Sequence, residues 1–383
     1  MFKTDTKKLF NEVTRSYNQL KSAKNSEEKM ALANYIGNLY VDIASVQEDD
    51  VYISKKTIFG SRKNYQKFMK KIDIYEIKML ENYVLQKDFH RDYLKKVLNG
   101  MKSKIKCIDR DEICKTSILS IDEYYSIFYD FMKSIGQDEM FDKFYKEGRI
   151  YACDTDENMG ILGQTEVNPI SKEINIFVGD PKYDINSMYV LAHEFGHAYD
   201  FSRFDEPIEL FNRFFYQSFY SEVFSKLFER LFLQYLIKNN ILIDEAKDKL
   251  LEMEETNCDY MLGAYILSLL DDGYLLSNSY QFLSKEKLYE LVGNNFSIED
   301  NIKKFIHNCT YFDITEDYRY AYGDIMSMFL KIQIDNYGFD NDLIDEIFKI
   351  RSSMFDSEIF EKLNFGPNRY KKLHRQEINL LKK

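Results

Sequence analysis

The sequence predicts a mainly α-helical fold, built as two lobes, with one small antiparallel sheet. Proline is absent before Pro169 and returns only at 181, 207 and 367, so long stretches lack the residue that most strongly breaks helices. Apolar and aromatic residues recur at helical spacing through most of the chain, whereas β-branched alternation is confined to 148–179. With 383 residues the chain can form two lobes around a cleft. We divide it into an N-terminal helical region, 1–118, and a larger C-terminal domain, 119–383.

Taken in order, 7–23, 27–47, 61–86 and 121–135 carry apolar residues with helical periodicity. Ser26-Glu27-Glu28 and Ser120-Ile121-Asp122-Glu123 read as capped helix starts, the second close to a capping box. Segments 149–153 and 173–178 read as strands, separated by Gly160, Gly163, Asn168 and Pro169. Asp184 or Asn186 then caps a helix running through Tyr199, and Pro207 opens another reaching about Asn239. Further helices are expected at 258–275, 318–335, 342–354 and 368–381.

The composition, 45% hydrophobic and 30% charged, is that of an ordinary globular protein. A net charge of −11 argues against the nucleic-acid backbone as a partner. Five cysteines, at 107, 114, 153, 258 and 309, form no CxxC pair, and their odd number fits reduced thiols better than a disulfide framework. Residues 1–8 are polar and basic with no apolar stretch behind them, which predicts no secretory signal and a cytoplasmic location. The longest apolar run, 260–270, is too short to span a bilayer and is closed by Asp271 and Asp272, so no membrane span is expected. His90 and His374 show no partner pattern and read as surface or structural residues.

The segment Leu191-Ala192-His193-Glu194-Phe195-Gly196-His197 places an HExxH motif inside a predicted helix. Residues four apart stack on one helix face, so both imidazoles can reach one ion while the intervening glutamate sits beside the first. This pattern implies a zinc site with Glu194 as the base. A catalytic zinc needs a third protein ligand. A histidine six residues after His197 is excluded, because Arg203 stands there and Asp200 replaces the glycine such a pattern needs. Downstream, Ser218, Glu222, Ser225 and Glu229 form a polar stripe in a phenylalanine-rich helix. A carboxylate buried among such neighbours is costly unless paired or metal-bound, which makes Glu222 the third ligand. Glu229 is a candidate acceptor for a ligand imidazole N–H, and Asp200 could serve the same role or meet water at the helix end.

Together these residues resemble the oligoendopeptidase F and thimet oligopeptidase family of zinc peptidases. His193 to His197 with Gly196 match the family's HExGH helix, and Glu222, Ser225 and Glu229 match its E-x-x-S-x-x-x-E helix, with Glu222 standing 29 residues after His193. Tyr318-Arg319-Tyr320-Ala321-Tyr322-Gly323 is similar to its Y-x-Y-x-Y element. The resemblance covers about 121–354 and implies a zincin-like catalytic domain over 119–383, with the sheet beside the active-site helix and one Zn2+ per chain. It also implies that a tyrosine of this element, Tyr320 first and Tyr318 second, and an upstream histidine, for which His307 is the nearest candidate, stabilise the tetrahedral intermediate. The chain is shorter than typical members and is expected to lack much of their N-terminal lobe.

The implied activity is zinc-dependent endopeptidase hydrolysis of short, unstructured oligopeptides. Strand 173–178 is expected to act as an edge that pairs with an extended peptide backbone. The alternative is a non-catalytic peptide-binding or scaffold protein that keeps the fold. No anchor for a peptide terminus is identifiable, and Cys153 lacks the paired base a nucleophile requires.

Overall fold

The structure is a computed structural model, and it describes residues 15, 16, 19, 84, 86–105, 116–153, 162–167, 174–179, 182–203, 219–270, 285–293, 316–339, 342–345, 357–362, 364 and 366–381. The helix expected at 27–47, nearly all of those at 7–23 and 61–86, and the start of the helix opened by Pro207 lie outside the described residues. The chain is mainly helical with one small sheet, and it divides into two compact units. One unit comprises Met1–Lys71, Thr116–Asn212 and Gln234–Leu242; the other comprises Ile72–Lys115, Arg213–Leu233 and Ile243–Lys383. In chain order the helices and strands are α1 (Lys87–Ile105), α2 (Ile121–Ser134), α3 (Asp138–Lys146), β1 (Ile150–Cys153), β2 (Gly163–Val167), β3 (Ile174–Gly179) and α4 (Ile185–Ser202). A 3₁₀ turn, Phe219–Glu222, leads into α5 (Val223–Asn239), followed by α6 (Ile243–Leu267), α7 (Lys285–Gly293), α8 (Glu316–Tyr337), α9 (Ser357–Lys362) and α10 (Pro367–Leu381).

In the first unit, α2 starts on a capping box. The Ser120 hydroxyl accepts from the Glu123 N–H, and the Glu123 carboxylate accepts from the Ser120 N–H at 3.0 Å. Tyr124, Phe128, Phe131 and Met132 recur at helical spacing and are buried. Phe128 meets Phe195 of α4 at 5.2 Å between ring centroids, and Phe141 and Phe144 of α3 meet the same ring at 5.8 and 5.6 Å. Phe195, inside the HExxH motif, is thus the apolar anchor that fixes the rotation of α4 about its axis.

The sheet has strand order β1-β3-β2 and is mixed: β2 pairs antiparallel with β3, and β1 pairs parallel with it. It differs in this from the antiparallel sheet read from the sequence, because β2 was not recognised there. Gly163 served as a separator in that reading but is the first residue of β2. With β2 in place, β3 turns back along it and enters the sheet beside β1 in the same direction. β3 is therefore central, and the edge role expected for 173–178 does not hold. Its side chains from Ile174 to Val178 are all buried, the polar Asn175 included. α4 packs on β2 and β3.

In the second unit, Leu94, Val97 and Met101 give α1 a buried stripe that packs against α6 and α10, while α6 and α10 each pack on α8. The Glu222 turn also packs on α8. At the centre lies Arg230 of α5, fully buried, pairing with Glu254 of α6 at 2.9 Å, with Asp324 of α8 and with Glu377 of α10. Asn257 and the Tyr370 hydroxyl donate to Asp324 at 2.7 and 2.8 Å, and His374 meets Glu254 at 2.8 Å. Cys258 is buried. Among the described residues no helix is long and apolar enough to cross a membrane.

Candidate active site

The helix that carries HExxH begins on Asp184, the first of the two caps the sequence offers. Its carboxylate accepts from the Ser187 N–H at 2.9 Å, and the Ser187 hydroxyl accepts from the Asp184 N–H at 3.0 Å. Three turns on, one face presents His193 and His197, both half-buried, with their Nε2 atoms 3.1 Å apart. The neighbouring face presents Glu194, which is 4% exposed. The helical phase separates these roles, as expected for a pair spaced by four and a residue 100° away.

Glu194 is held from β2. The Thr165 hydroxyl, itself buried, lies 2.7 Å from Glu194 Oε2 and 2.9 Å from the Glu194 carbonyl oxygen. Two residues earlier on the same strand face, Gly163 leaves space that no side chain could share. A Cβ there would stand 2.5 Å from Val190 Cγ1, 2.7 Å from Glu194 Oε1 and 2.9 Å from Glu194 Cγ.

Glu222 ends the 3₁₀ turn ahead of α5 and is 4% exposed. The Ser225 hydroxyl donates to Glu222 Oε2 at 2.9 Å, and Arg319 Nε lies 3.6 Å from Oε1. Gly323 faces the turn so closely that a Cβ would sit 2.7 Å from Glu222 Cβ and 3.0 Å from its carbonyl carbon. His193 and His197 belong to the first unit and Glu222 to the second, and each offers an atom that can ligate a metal. Two imidazoles and a carboxylate are the donor set of many catalytic zinc sites. With Zn–N bonds of about 2.0–2.1 Å, tetrahedral coordination calls for an N···N edge of about 3.4 Å. The 3.1 Å imidazole spacing therefore fits a shared ion.

Of the stripe read downstream, Glu222, Ser225 and Glu229 are all buried. Glu229 accepts from Lys226 Nζ at 3.1 and 3.3 Å. Asp200 is wholly buried and so does not meet water at the helix end. The tyrosine run divides by helical phase. Tyr318 and Tyr322, four apart, face α1, where Tyr318 packs edge-on to His90 and Tyr322 OH lies 2.7 Å from His90 Nδ1. Tyr320 points elsewhere, stacked on Tyr260 at 4.6 Å, with Lys226 Nζ 5.2 Å and the Arg319 guanidinium 5.4 Å from its ring centre. His307 lies outside the described residues. His90 and His374 are buried structural residues, not surface ones.

The sequence reading missed Thr165, Gly163, Arg319 and Gly323. No local pattern flags a threonine or glycine whose importance is contact with a glutamate far along the chain. Gly323 alone had a signal, as a buried glycine inside a helix-periodic segment, where it is otherwise disfavoured.

The fold is mainly helical with a small mixed sheet and resembles helical peptidase structures. No family model and no curated protein matches the sequence. Among solved structures, the chain is similar to a candidate oligoendopeptidase F from Bacillus anthracis strain Ames, with 14% identity and a TM-score of 0.50, over 97% of this chain and 73% of that one. It also matches PZ peptidase A with an inhibitor, at 9% identity and a TM-score of 0.47, over 97% of this chain and 67% of that one. The first likeness shows a shared fold.

Proposed function

We propose that this protein is a zinc-dependent endopeptidase acting on short, unstructured oligopeptides, with His193, His197 and Glu222 as the metal ligands and Glu194 as the proton carrier. The paired imidazoles of His193 and His197, 3.1 Å apart on one helix face beside a buried and hydrogen-bonded Glu194, carry the reading. Bound zinc supplies a Lewis acid and brings the pKa of water toward about 7. Glu194 takes the proton of the attacking water and returns it to the leaving amine. Tyr320 is preferred to Tyr318 as the donor to the oxygen that gains charge, because Tyr318 is buried against His90. His307 remains the candidate for the second donor.

Among the described residues β2 is an edge strand of the sheet, so an extended peptide would pair there rather than along β3. Backbone pairing fixes register without reading side chains, which suits a sequence-tolerant oligopeptidase. The acidic charge disfavours nucleic acid, and we propose a cytoplasmic site of action.

The test is elemental analysis of the purified protein combined with cleavage of a quenched peptide library before chelation, after it, and after zinc is restored. Zinc is expected near one per chain, with cleavage lost on chelation and regained on readdition. Glu194→Gln should keep the zinc and drop cleavage to background. Cleavage that survives chelation, or a native rate in Glu194→Gln, overturns the mechanism. Zinc without cleavage by the wild type puts the non-catalytic peptide-binding reading in its place.

A further inference from the structure

We propose that Thr165 is a positioning residue for Glu194, aiming its carboxylate from β2 while Gly163 keeps open the space that carboxylate occupies. The inference rests on the reading of Glu194 as the proton carrier. A carboxylate 4% exposed has lost most of its water, and burial of that kind is costly unless hydrogen bonds replace it. The Thr165 hydroxyl supplies one at 2.7 Å, an ordinary length for an O–H···O hydrogen bond.

The direction of that bond is built into the strand. Thr165 is β-branched, with a stiff first side-chain torsion, and its backbone is registered opposite Ile176 of β3. Alternation along β2 puts Gly163 on the same face, registered opposite Val178. Both carboxylate oxygens are thus framed by one strand, Oε2 by a hydroxyl and Oε1 by the missing side chain of Gly163.

The hydroxyl has one proton and two lone pairs, and two Glu194 oxygens lie within its reach, at 2.7 and 2.9 Å. One hydroxyl therefore bridges the Glu194 side chain and its own backbone, which fixes the carboxylate relative to α4. Serine can do this, and valine cannot.

The experiment compares Thr165→Val, Thr165→Ser and Gly163→Ala with the wild type, reading kcat, KM, zinc content and the thermal midpoint. Valine preserves volume and strand preference and removes only the hydroxyl. Thr165→Val is expected to lose about 10–100-fold in kcat, the range seen when orienting partners are removed, with KM and zinc content unchanged. Thr165→Ser should recover most of the rate, and Gly163→Ala should fall at least as far as Thr165→Val. If Thr165→Val loses zinc or unfolds, Thr165→Ala against Thr165→Ser decides in its place. A hydroxyl-free variant with wild-type kcat, a serine variant as impaired as the hydroxyl-free one, or a loss confined to KM overturns the positioning role alone. A zinc-loaded wild type that cleaves nothing overturns the endopeptidase reading, and this inference with it.

Discussion

His90 sits wholly buried on α1, beside Tyr318 and hydrogen-bonded to Tyr322, and desolvation pushes its pKa from 6.5 down to about 3. Between those two values the unfolded chain carries a proton on this imidazole that the folded chain refuses. Stability should therefore be retained above pH 6.5 and decline as pH falls toward 3, by about 1.4 kcal/mol per pH unit from this group. Urea unfolding at pH 7 and pH 5 should show that decline, and His90→Gln, which keeps an acceptor but cannot charge, should flatten it. Equal slopes in the two proteins would mean that His90 is not the group responsible. Nothing local in the sequence marks His90 as buried, because its burial depends on tyrosines more than two hundred positions away.

Helix α8 carries out two tasks on different faces. Tyr318 and Tyr322 pack toward α1, while Arg319 and Gly323, also four apart, face the Glu222 turn. Gly323→Ala poses two opposing effects. Alanine in a free helix interior gains about 1 kcal/mol over glycine, yet here its methyl would lie 2.7 Å from Glu222 Cβ and 3.0 Å from backbone, which cannot swing aside. Overpacking of that kind costs about 1–3 kcal/mol, so the net change should be destabilising. Zinc affinity should fall with it, because the displaced residue is a proposed ligand. A denaturant midpoint at or above that of the wild type, with unchanged zinc affinity, would show that the close approach is unimportant.

The second unit is organised around a buried charge with more acid than base. Burial opposes charging Arg230, but Asp324 and Glu254 outweigh it and raise its pKa. Burial likewise pushes Glu254 up, and Arg230 and His374 bring it net down; for Asp324 burial wins and its pKa rises. Arg230 thereby ties α5, which follows directly on Glu222, to α6, α8 and α10. Removing it strands Glu254, Asp324 and Glu377 in an apolar interior. Arg230→Met should cost about 3–5 kcal/mol in urea unfolding, the range for breaking a buried pair from one side. A loss below about 1 kcal/mol, typical of an exposed pair, would show that water reaches the network.

The HExxH helix was legible in the sequence because its information is local. Helical spacing aligns the two histidines, Asp184 caps the start, and both features lie within a few residues of what they control. The burial of Glu222 was legible because it stands in a stripe at helical spacing within a phenylalanine-rich segment. The aim of Glu194 was not legible, since it is set by a strand 29 residues earlier whose pairing required the whole sheet to form. The order β1-β3-β2 and the contact between Arg230 and Asp324, 94 residues apart, were closed to inspection for the same reason. Periodicity reports which face of an element is apolar, but only packing decides which distant element meets it.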